Sequence, residues 1–331
     1  MGDKVAPIDV YGLGNALVDI EYEVDEDFFP AHGVRRGVMT LVSHERQEEL
    51  ISALLERGDA RKMMGGGSVA NSLYAVSNFG GSAFLSCKVA DDEAGNFYLR
   101  ELRKHNIETC GDFHAVQTGR CLIMISPDAE RTMHTFLGAA EFLSPADLDF
   151  DAARRAKYIY IEGYLVSSDH GRAAAIELRR CAEAAGVKTA LTFSDPSLLE
   201  IFPRQMREML GDGVDLLFCN EQEVLLWTGA RRLTAACAEL RAIAKRFVVT
   251  RGARGAILFD GGEFTEIEAV KVNAIDTTGA GDAFAGGFLH ALTTGQSFPA
   301  AAQLATRTAA KVVSRFGPRL EAGDYRRISA R

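Results

Sequence analysis

The sequence predicts an α/β fold with a central, mostly parallel sheet, helices on both faces, and a small antiparallel sheet beside it. Two observations predict this fold class. Short apolar runs alternate with stretches of helical periodicity along most of the 331 residues, which is the pattern of parallel strands buried on both faces. Residues 18–41 and 110–137 instead alternate apolar with polar or small residues and lack intervening helices, which indicates antiparallel strands of a separate sheet.

The elements of the main sheet follow in order along the chain. Each apolar run is short and bounded by Gly, Asp or Ser, and each helical stretch between the runs has an apolar face. Strands are predicted at residues 8–13, 83–87, 158–161, 188–193, 215–219 and 247–250. Helices are predicted at residues 68–79, 93–105, 169–185, 220–228, 281–293 and 298–315.

Composition and charge narrow the function classes. The chain is 47% hydrophobic and 25% charged, with a net charge of −8 and no run of Lys and Arg, so nucleic-acid and membrane binding are disfavoured. Six scattered cysteines form no C-x-x-C pair, which favours reduced thiols. The first residues show no cationic region followed by an apolar stretch, so we expect no signal peptide and a cytoplasmic location. No linker divides the chain, so one domain over residues 1–331 is expected.

The most informative segment spans residues 276–288. Gly279, Ala280 and Gly281 are small enough for backbone N–H groups to surround an anion, and they open into an apolar helix whose first turn adds unpaired N–H groups. Asp282 lies in that same turn, where a bound phosphate would meet a carboxylate base. This arrangement is suited to moving a phosphoryl group onto a hydroxyl. The alternative is an ordinary glycine-rich helix start capped by Thr278 or Asp282.

Two motifs resemble the signatures of the ribokinase-like (PfkB) family of sugar and nucleoside kinases. Residues 276–288 resemble the second signature, and residues 65–72, 79–81 and 89–95 resemble the first, in the expected order. The resemblance implies a ribokinase-like fold and an ATP-dependent kinase that uses Mg²⁺. It also implies that the antiparallel strands, at about residues 15–42 and 110–138, form a lid over the substrate.

The resemblance assigns several residues to ATP. Asn220 and Glu223 follow a predicted strand and match an N-x-x-E motif whose acid acts on Mg²⁺ through its waters; alone, the pair would be a helix capping box. The turn containing Thr250, Gly252 and Gly255 borders the nucleotide phosphates and ribose in the family, whereas by itself it is a tight connection between strands.

Arg131 and a possible cation site each allow two interpretations from the residues alone. Arg131 lies at a turn between predicted lid strands and could clamp the transferring phosphate when the lid closes, or it could be a solvated hairpin arginine. Asp276 and Thr278 match family positions that coordinate a monovalent cation such as K⁺. The alternative for both is a local turn or cap that needs no ion.

The acceptor hydroxyls need paired acceptors and donors. Asp19 can accept from two adjacent hydroxyls, and Asn71 can both donate and accept. In the family, the side chains at the positions of Asn15, Asp19 and Asn71 bind a sugar diol. Gly66 and Gly67 would let the backbone approach that sugar closely.

The stretches 14–20, 24–29, 130–133, 137–140 and 158–164 are more similar to the adenosine kinases of this family than to its ribokinases or fructokinases. Tyr164 matches a position that stacks on the purine. Asp195-Pro196 instead resembles sugar kinases, and a sugar-acid kinase would need a cation such as Arg120.

These stretches predict a nucleoside 5′-kinase, with adenosine as acceptor. The alternatives are a sugar kinase for fructose, ribose or 2-keto-3-deoxygluconate, and a catalytically silent nucleoside-binding protein. Charges at Asp25, Glu26 and Asp27 discourage pairing of lid edges, so a monomer is expected, with a homodimer through the lid as the alternative.

Overall fold

The computed structural model of the protein describes residues 6–111, 113–128 and 130–330. Its strands, in chain order, are β1 (Ile8–Leu13), β2 (Leu17–Glu23), β3 (Met39–Leu41), β4 (Lys62–Gly65), β5 (Ala83–Ser86), β6 (Ile107–Cys110), β7 (Thr118–Ile125), β8 (Arg131–Gly138), β9 (Ala156–Glu162), β10 (Lys188–Thr192), β11 (Val214–Asn220), β12 (Ala244–Thr250), β13 (Ala256–Phe259) and β14 (Phe264–Ile267). Its α-helices are α1 (Phe28–Ala31), α2 (His44–Leu55), α3 (Ser68–Asn78), α4 (Glu93–Lys104), α5 (Phe150–Arg154), α6 (Asp169–Ala185), α7 (Pro196–Ile201), α8 (Pro203–Leu210), α9 (Glu221–Thr228), α10 (Leu233–Leu240), α11 (Ala280–Thr293), α12 (Phe298–Val313) and α13 (Ala322–Ser329).

The main sheet has nine strands in the order β14-β13-β12-β11-β10-β9-β1-β5-β6. From β6 to β12 all neighbours are parallel, and only β13 and β14 pair antiparallel at one edge. The predicted mostly parallel sheet is confirmed. Because parallel strands all end at the same edge, the loops that follow β1, β9, β10, β11 and β12 lie next to one another, where ligands bind in α/β proteins.

Helices cover both faces of the main sheet, which explains the apolar runs in the strands. On β1, Val10 faces one hydrophobic core together with Leu73 of α3 and Phe288 of α11. Tyr11 of the same strand faces the other core together with Leu178 of α6. Neighbouring residues of β1 therefore pack against helices on opposite faces of the sheet, which is why residues 10–13 of this strand are apolar or glycine instead of alternating with polar residues.

The long helices begin and end as local sequence rules require. At the start of α6, the Ser168 side chain accepts a hydrogen bond from the Gly171 N–H, and at its end Gly186 adopts a left-handed φ of 71°. At the start of α4, the Asp92 side chain accepts from the Gly95 N–H. These capping residues fix the helix bounds, which is why α6 matches the predicted residues 169–185.

The second sheet, the lid sheet, has five strands in the order β3-β8-β7-β2-β4. The β7–β8 and β2–β4 pairs are antiparallel, as expected, but β2 and β7 pair parallel, and so do β3 and β8. The expectation of an antiparallel lid was therefore wrong for two pairs. Their strands are joined by long excursions through helices and the main sheet, so no hairpin turn fixes their relative direction. The sheet also includes β4, which lies outside the two predicted lid segments.

The lid sheet is apolar on both faces. Its outer face packs under α1 and α2, where Phe28 and Leu50 meet Leu122 and Met124. Its inner face carries Cys121, Ile123 and Met133. The two apolar sets alternate along β7, so the helices cover one set and the other faces the main sheet. In the described ranges, no helix is both long and apolar enough to cross a membrane.

Candidate active site

A cavity of about 420 Å³ lies between the inner face of the lid sheet and the loops at the ends of the main-sheet strands. Most of the residues predicted for the site line it, although they come from separate parts of the chain. These are Asn15, Asp19, Gly67, Asn71, Tyr164, Asn220, Glu223, Thr250, Thr278, Gly279, Ala280, Gly281 and Asp282. The predicted residues Gly66, Arg131, Gly252, Gly255 and Asp276 do not line this first cavity.

A second cavity of about 470 Å³ lies on the other side of the start of α11. Gly252 and Gly255 line it, as do apolar residues that include Val270 and Ala310. The two cavities share Thr250, Thr277, Ala280, Gly281 and Phe284. The glycine-rich segment is therefore the point at which two binding spaces meet.

The two glycines of this segment have different physical requirements. Gly279 has a left-handed φ of 70°, and a Cβ there would lie 2.4 Å from Pro318 Cβ. A Cβ on Gly281 would meet nothing within 4 Å, so its position is open to the cavities. The first helical hydrogen bond of α11 runs from the Ala283 N–H to the Gly279 carbonyl at 2.8 Å. The N–H groups of Gly281 and Asp282 precede it in the first turn, where they can bind an anion.

Asp282 is held by two side chains of α3. Its Oδ1 accepts a hydrogen bond from Ser68 Oγ at 2.6 Å, and its Oδ2 accepts one from Asn71 Nδ2 at 3.0 Å. Burial raises the pKa of Asp282, while these two hydrogen bonds and the charge of Arg319 oppose the rise. Ser68 belongs to the first signature, but the sequence gave no reason to assign it a role.

Arg319 was missed by the sequence analysis. Its Nε donates to Asn71 Oδ1 at 2.8 Å, and its guanidinium lies over the ring of Tyr74, 4.9 Å from the centroid. Asn71 and Arg319 are 248 positions apart in the chain, so no local pattern could have joined them.

Asp19 lies on the lid strand β2, beside the first cavity. It is buried, which raises its pKa to about 7, against the lowering effect of the Arg319 and Arg131 charges. A Cβ on Gly66 would lie 2.2 Å from Asp19 Oδ1, and one on Gly67 would lie 2.2 Å from the Asn15 carbonyl oxygen. Because neither glycine has a side chain, Gly66 can lie against Asp19 and Gly67 can lie against the backbone of Asn15.

Glu162, at the end of β9, is a second residue that the sequence analysis missed. It is buried, and its two oxygens accept hydrogen bonds from the backbone N–H groups of Asn15 at 2.8 Å and Val69 at 3.1 Å. Burial raises its pKa to about 7, although both hydrogen bonds lower it. Glu162 therefore joins the loop after β1 to the start of α3, and so fixes the positions of Asn15 and Asn71.

The comparison with protein families agrees with this geometry. Residues 41–322 match the model of the pfkB family carbohydrate kinases. The chain belongs to the pfkB family. It is therefore an ATP-dependent kinase, and the predicted ribokinase-like fold is confirmed by solved structures of the same architecture.

Similar proteins include both nucleoside and sugar kinases. The solved adenosine kinase from Sinorhizobium meliloti is 33% identical, with a TM-score of 0.90 over 98% of this chain and 100% of that chain. A solved probable sugar kinase from Rhizobium etli CFN 42 is 30% identical, with a TM-score of 0.91 over 98% of this chain and 99% of that chain. Among curated proteins, the adenosine kinase of Saccharomyces cerevisiae is 28% identical over 92% of this chain and 95% of its own length.

Arg131 of this pfkB kinase lies outside both cavities. Its Nη2 donates to Glu21 Oε1 at 2.7 Å, and its Nη1 lies 3.4 Å from Asp276 Oδ1. Its side chain is only 10% exposed, so the alternative of a solvated hairpin arginine was wrong. Arg131 joins the lid sheet to the segment that precedes the glycine cradle, and a role as phosphate clamp stays a prediction.

Asp276 is already well supplied with donors. Its Oδ1 accepts from the Thr278 N–H at 2.9 Å, and its Oδ2 accepts from the Gly317 N–H at 2.7 Å. A monovalent cation beside Asp276 would lie close to the Arg131 guanidinium and be repelled by it. The residues fit such a cation poorly, so no step of the reaction is assigned to it.

Glu223 forms a complete capping box with Asn220 at the start of α9. The Asn220 side chain accepts from the Glu223 N–H, and the Glu223 carboxylate accepts from the Asn220 N–H and side-chain amide. Burial raises the pKa of Glu223 to about 7. Across the described residues, no group of three or more His, Cys, Asp or Glu side chains is placed to hold a metal ion. The Glu223 carboxylate, which lines the first cavity, fits the Mg²⁺ used by the family, because that ion is bound mainly by phosphates and water with one or two carboxylates.

On the lid side, Asp19 and Thr135 are the polar residues among those described that line the first cavity, and the others are apolar or Cys121. The inner lid face contributes a wall made of Leu17, Met39, Leu41, Ile123, Met133 and Leu137. Tyr164 also lines this cavity and is half-buried. Within the described ranges, the lining of this cavity contains no Lys or Arg. Arg120 pairs instead with Glu48.

Asp195, which resembled a sugar-kinase residue, caps α7 by accepting from the Ser197 N–H at 2.8 Å. Ser194, just before it, lines the first cavity with a left-handed φ of 71°. A non-glycine residue in that conformation is sparsely populated and often lies at a functional site.

Proposed function

We propose that this pfkB kinase transfers the γ-phosphate of MgATP to the 5′-hydroxyl of adenosine, giving AMP and ADP. One observation carries the proposal: the cradle, Asp282, Tyr164 and an apolar wall of the lid sheet line the same cavity, and no Lys or Arg of the described residues lines it. A volume of about 420 Å³ suits a nucleoside, since ligand pockets begin at about 300 Å³. A free sugar could bind Asp19 and Asn71, but it has no apolar group to cover the Leu and Met side chains of the wall.

The proposed chemistry takes place at the start of α11. The acceptor's 5′-oxygen forms a bond to the γ-phosphorus as the bond to the bridging oxygen of ADP breaks in line with it. Asp282 accepts the hydroxyl proton, oriented by Ser68 and Asn71. The N–H groups of Gly281 and Asp282, with the helix dipole, stabilise the charge on the transferring phosphoryl group.

The purine and the ribose of the acceptor would be bound by different residues. Tyr164 would stack on the purine, with the apolar lid residues covering its other side. Asp19 would accept hydrogen bonds from the ribose hydroxyls, with Asn15 and Asn71 nearby. Closing the lid sheet over this cavity would exclude water, which otherwise competes as acceptor.

ATP would occupy the second cavity and extend its phosphates to the cradle. The apolar lining near Val270 and Ala310 suits an adenine ring, and the backbone turn at Gly252 and Gly255 lies beside it. Glu223 is the buried carboxylate that would face Mg²⁺ and its waters, and the ion would offset the negative charge of the phosphates.

The second candidate is a kinase for a neutral sugar. It is favoured by the Rhizobium etli relative, a probable sugar kinase that is similar over the whole chain. A sugar acid is a poorer candidate, because no cation among the described residues lines the first cavity to bind its carboxylate.

The test is ADP release from MgATP with adenosine, inosine, ribose, fructose and 2-keto-3-deoxygluconate as acceptors. The proposal requires kcat/KM for adenosine to exceed that for every free sugar. A preference for ribose or fructose would keep the role of Asp282 but overturn the purine site. Binding of adenosine without turnover of any acceptor would instead indicate a catalytically silent nucleoside-binding protein.

A further inference from the structure

The segment Gly317-Pro318-Arg319 contacts three separate parts of the site. The Gly317 N–H donates to Asp276, and Pro318 fills the space into which a side chain on Gly279 would extend. Arg319 then reaches Asn71 on α3, which in turn donates to Asp282. One short stretch after α12 therefore supports both the glycine cradle and the residue next to the base.

The contact with Arg319 decides which way the Asn71 amide points. An amide can present either its oxygen or its NH₂ group to a neighbour, whereas a guanidinium can only donate. The Nε of Arg319 therefore requires the oxygen of Asn71 on its side, 2.8 Å away. The NH₂ group must then face Asp282, where it donates at 3.0 Å. With Arg319 absent, the Asn71 oxygen would lose this donor, and only the ionised Asp282 carboxylate would still favour that orientation.

We propose that Arg319 is a positioning residue for the phosphoryl transfer, acting through Asn71 to orient Asp282 and to keep it ionised. The proposal rests on the proposed role of Asp282 as general base, and it does not depend on which acceptor is used. Arg319 is held in place by Tyr74, whose ring lies under its guanidinium. Arg319 does not line the first cavity; it orients Asp282 through Asn71, and its positive charge acts on the Asp282 carboxylate directly.

Several other charged or titratable groups act on Asp282. Asp19 and Glu162 each have a raised pKa that is due in part to the Asp282 charge, and so does Tyr160. These acidic neighbours disfavour the ionised carboxylate, as burial does. Arg319 is the cation that opposes them, so its removal is expected to raise the pKa of Asp282.

The experiment compares three substitutions of Arg319 that separate its two effects. Arg319→Lys keeps the charge and a donor, Arg319→Gln keeps a donor without the charge, and Arg319→Met keeps neither. Arg315→Met is the matched control, because Arg315 lies just before this segment but pairs with Asp324 and Glu321. For each variant, kcat/KM is measured from pH 5 to pH 9 with the best acceptor, and thermal unfolding is recorded in parallel.

The expected results differ between the variants. Arg319→Met should lose about tenfold or more in kcat/KM. The acid limb of its pH profile of kcat/KM should move to higher pH by about half a unit or more. Arg319→Gln should show the same displacement of the acid limb with most of its activity restored at pH 9. Arg319→Lys and Arg315→Met should resemble the unmodified protein in both respects.

The proposal is wrong if Arg319→Met keeps both the activity and the pH profile of the unmodified protein. Should Arg319→Met unfold below the assay temperature, Arg319→Gln decides the question, and an acid limb that has not moved overturns the proposal. Asp282→Asn separates this failure from that of the proposed function. If Asp282→Asn turns over normally, the base assignment itself is wrong, whatever Arg319 does.

Discussion

Replacing Asp282 by asparagine tests the central assignment with little structural change. The substitution keeps the shape of the side chain, and its amide can still satisfy both neighbours. The Asn71 NH₂ group can donate to the new oxygen, and the Ser68 hydroxyl, now 2.6 Å from Oδ1, can accept from the new NH₂. We therefore expect the free energy of unfolding to change by less than about 1 kcal/mol.

The effect on catalysis should be much larger. Loss of a general base lowers kcat by a factor of about 10² to 10⁴, which corresponds to a barrier higher by about 2.7 to 5.4 kcal/mol. ATP binding should change little, because the N–H groups of the cradle remain. The assay is coupled ADP release at saturating acceptor, together with calorimetric titration of MgATP.

A matched control is Ser68→Ala, which removes one hydrogen bond to Asp282 but leaves the base. It should reduce kcat by less than about tenfold, since one lost hydrogen bond changes the energy by about 0.5 to 1.5 kcal/mol. If Asp282→Asn retained more than about a tenth of the original kcat, Asp282 would not be the base.

Three further predictions test the cradle and the acceptor site. Gly281→Ala should leave Tm unchanged or raise it, because its Cβ meets nothing and alanine favours helix, yet it should reduce kcat/KM for ATP about tenfold or more by filling the cradle. Gly279→Ala should lower Tm instead, because Gly279 has a φ of 70° and its Cβ would lie against Pro318. Equal Tm values for the two variants would contradict this reasoning. The KM for the acceptor should fall as pH rises through about 7, since Asp19 accepts hydrogen bonds best when ionised, and Asp19→Asn should flatten that dependence. A KM that is constant from pH 6 to pH 8 in the unmodified protein would exclude this role of Asp19. Tyr164→Leu should raise the KM for adenosine about tenfold, as expected for a lost stacking contact, while Tyr164→Phe should not, and an unchanged KM in Tyr164→Leu would remove Tyr164 from the purine site.

Much of the fold could be predicted because its signals are local. Strand β1 and helix α6 match the predicted residues 8–13 and 169–185, since an apolar run bounded by turns and a capped amphipathic pattern each need only their own residues. The relative directions of the lid strands could not be predicted in this way. They depend on where long connections return to the sheet, and β4 is too short, at four residues, to show a period of its own.

The candidate site could be predicted only as far as its motifs extend. The glycine cradle, Asp282, Asn71 and Asp19 could be predicted because each lies in a stretch with a recognisable pattern, and all of them line one cavity. Glu162 was missed, because its task is to accept two backbone N–H bonds from residues distant in the chain, and a carboxylate at a strand end has no signal for that.

The close neighbour of Gly66 could not be predicted either, because it is distant in the chain. The sequence analysis expected Gly66 to let the backbone approach a sugar. The closest atoms to its missing side chain belong to Asp19, which is 47 positions away and comes near only after β2 and β4 have paired.

The long separation between Asn71 and Arg319 has a consequence for how the enzyme is made. All strands of both sheets precede residue 268, whereas the cradle begins at Gly279 and the contact with Asn71 requires Arg319. The amino end of a nascent chain emerges from the ribosome first, so early segments can fold before late ones emerge. A growing chain can therefore complete its sheets while it still lacks the means to hold a phosphate or to orient a base. Phosphate binding and orientation of the base therefore depend on residues 279–319, which lie in the last sixth of the sequence.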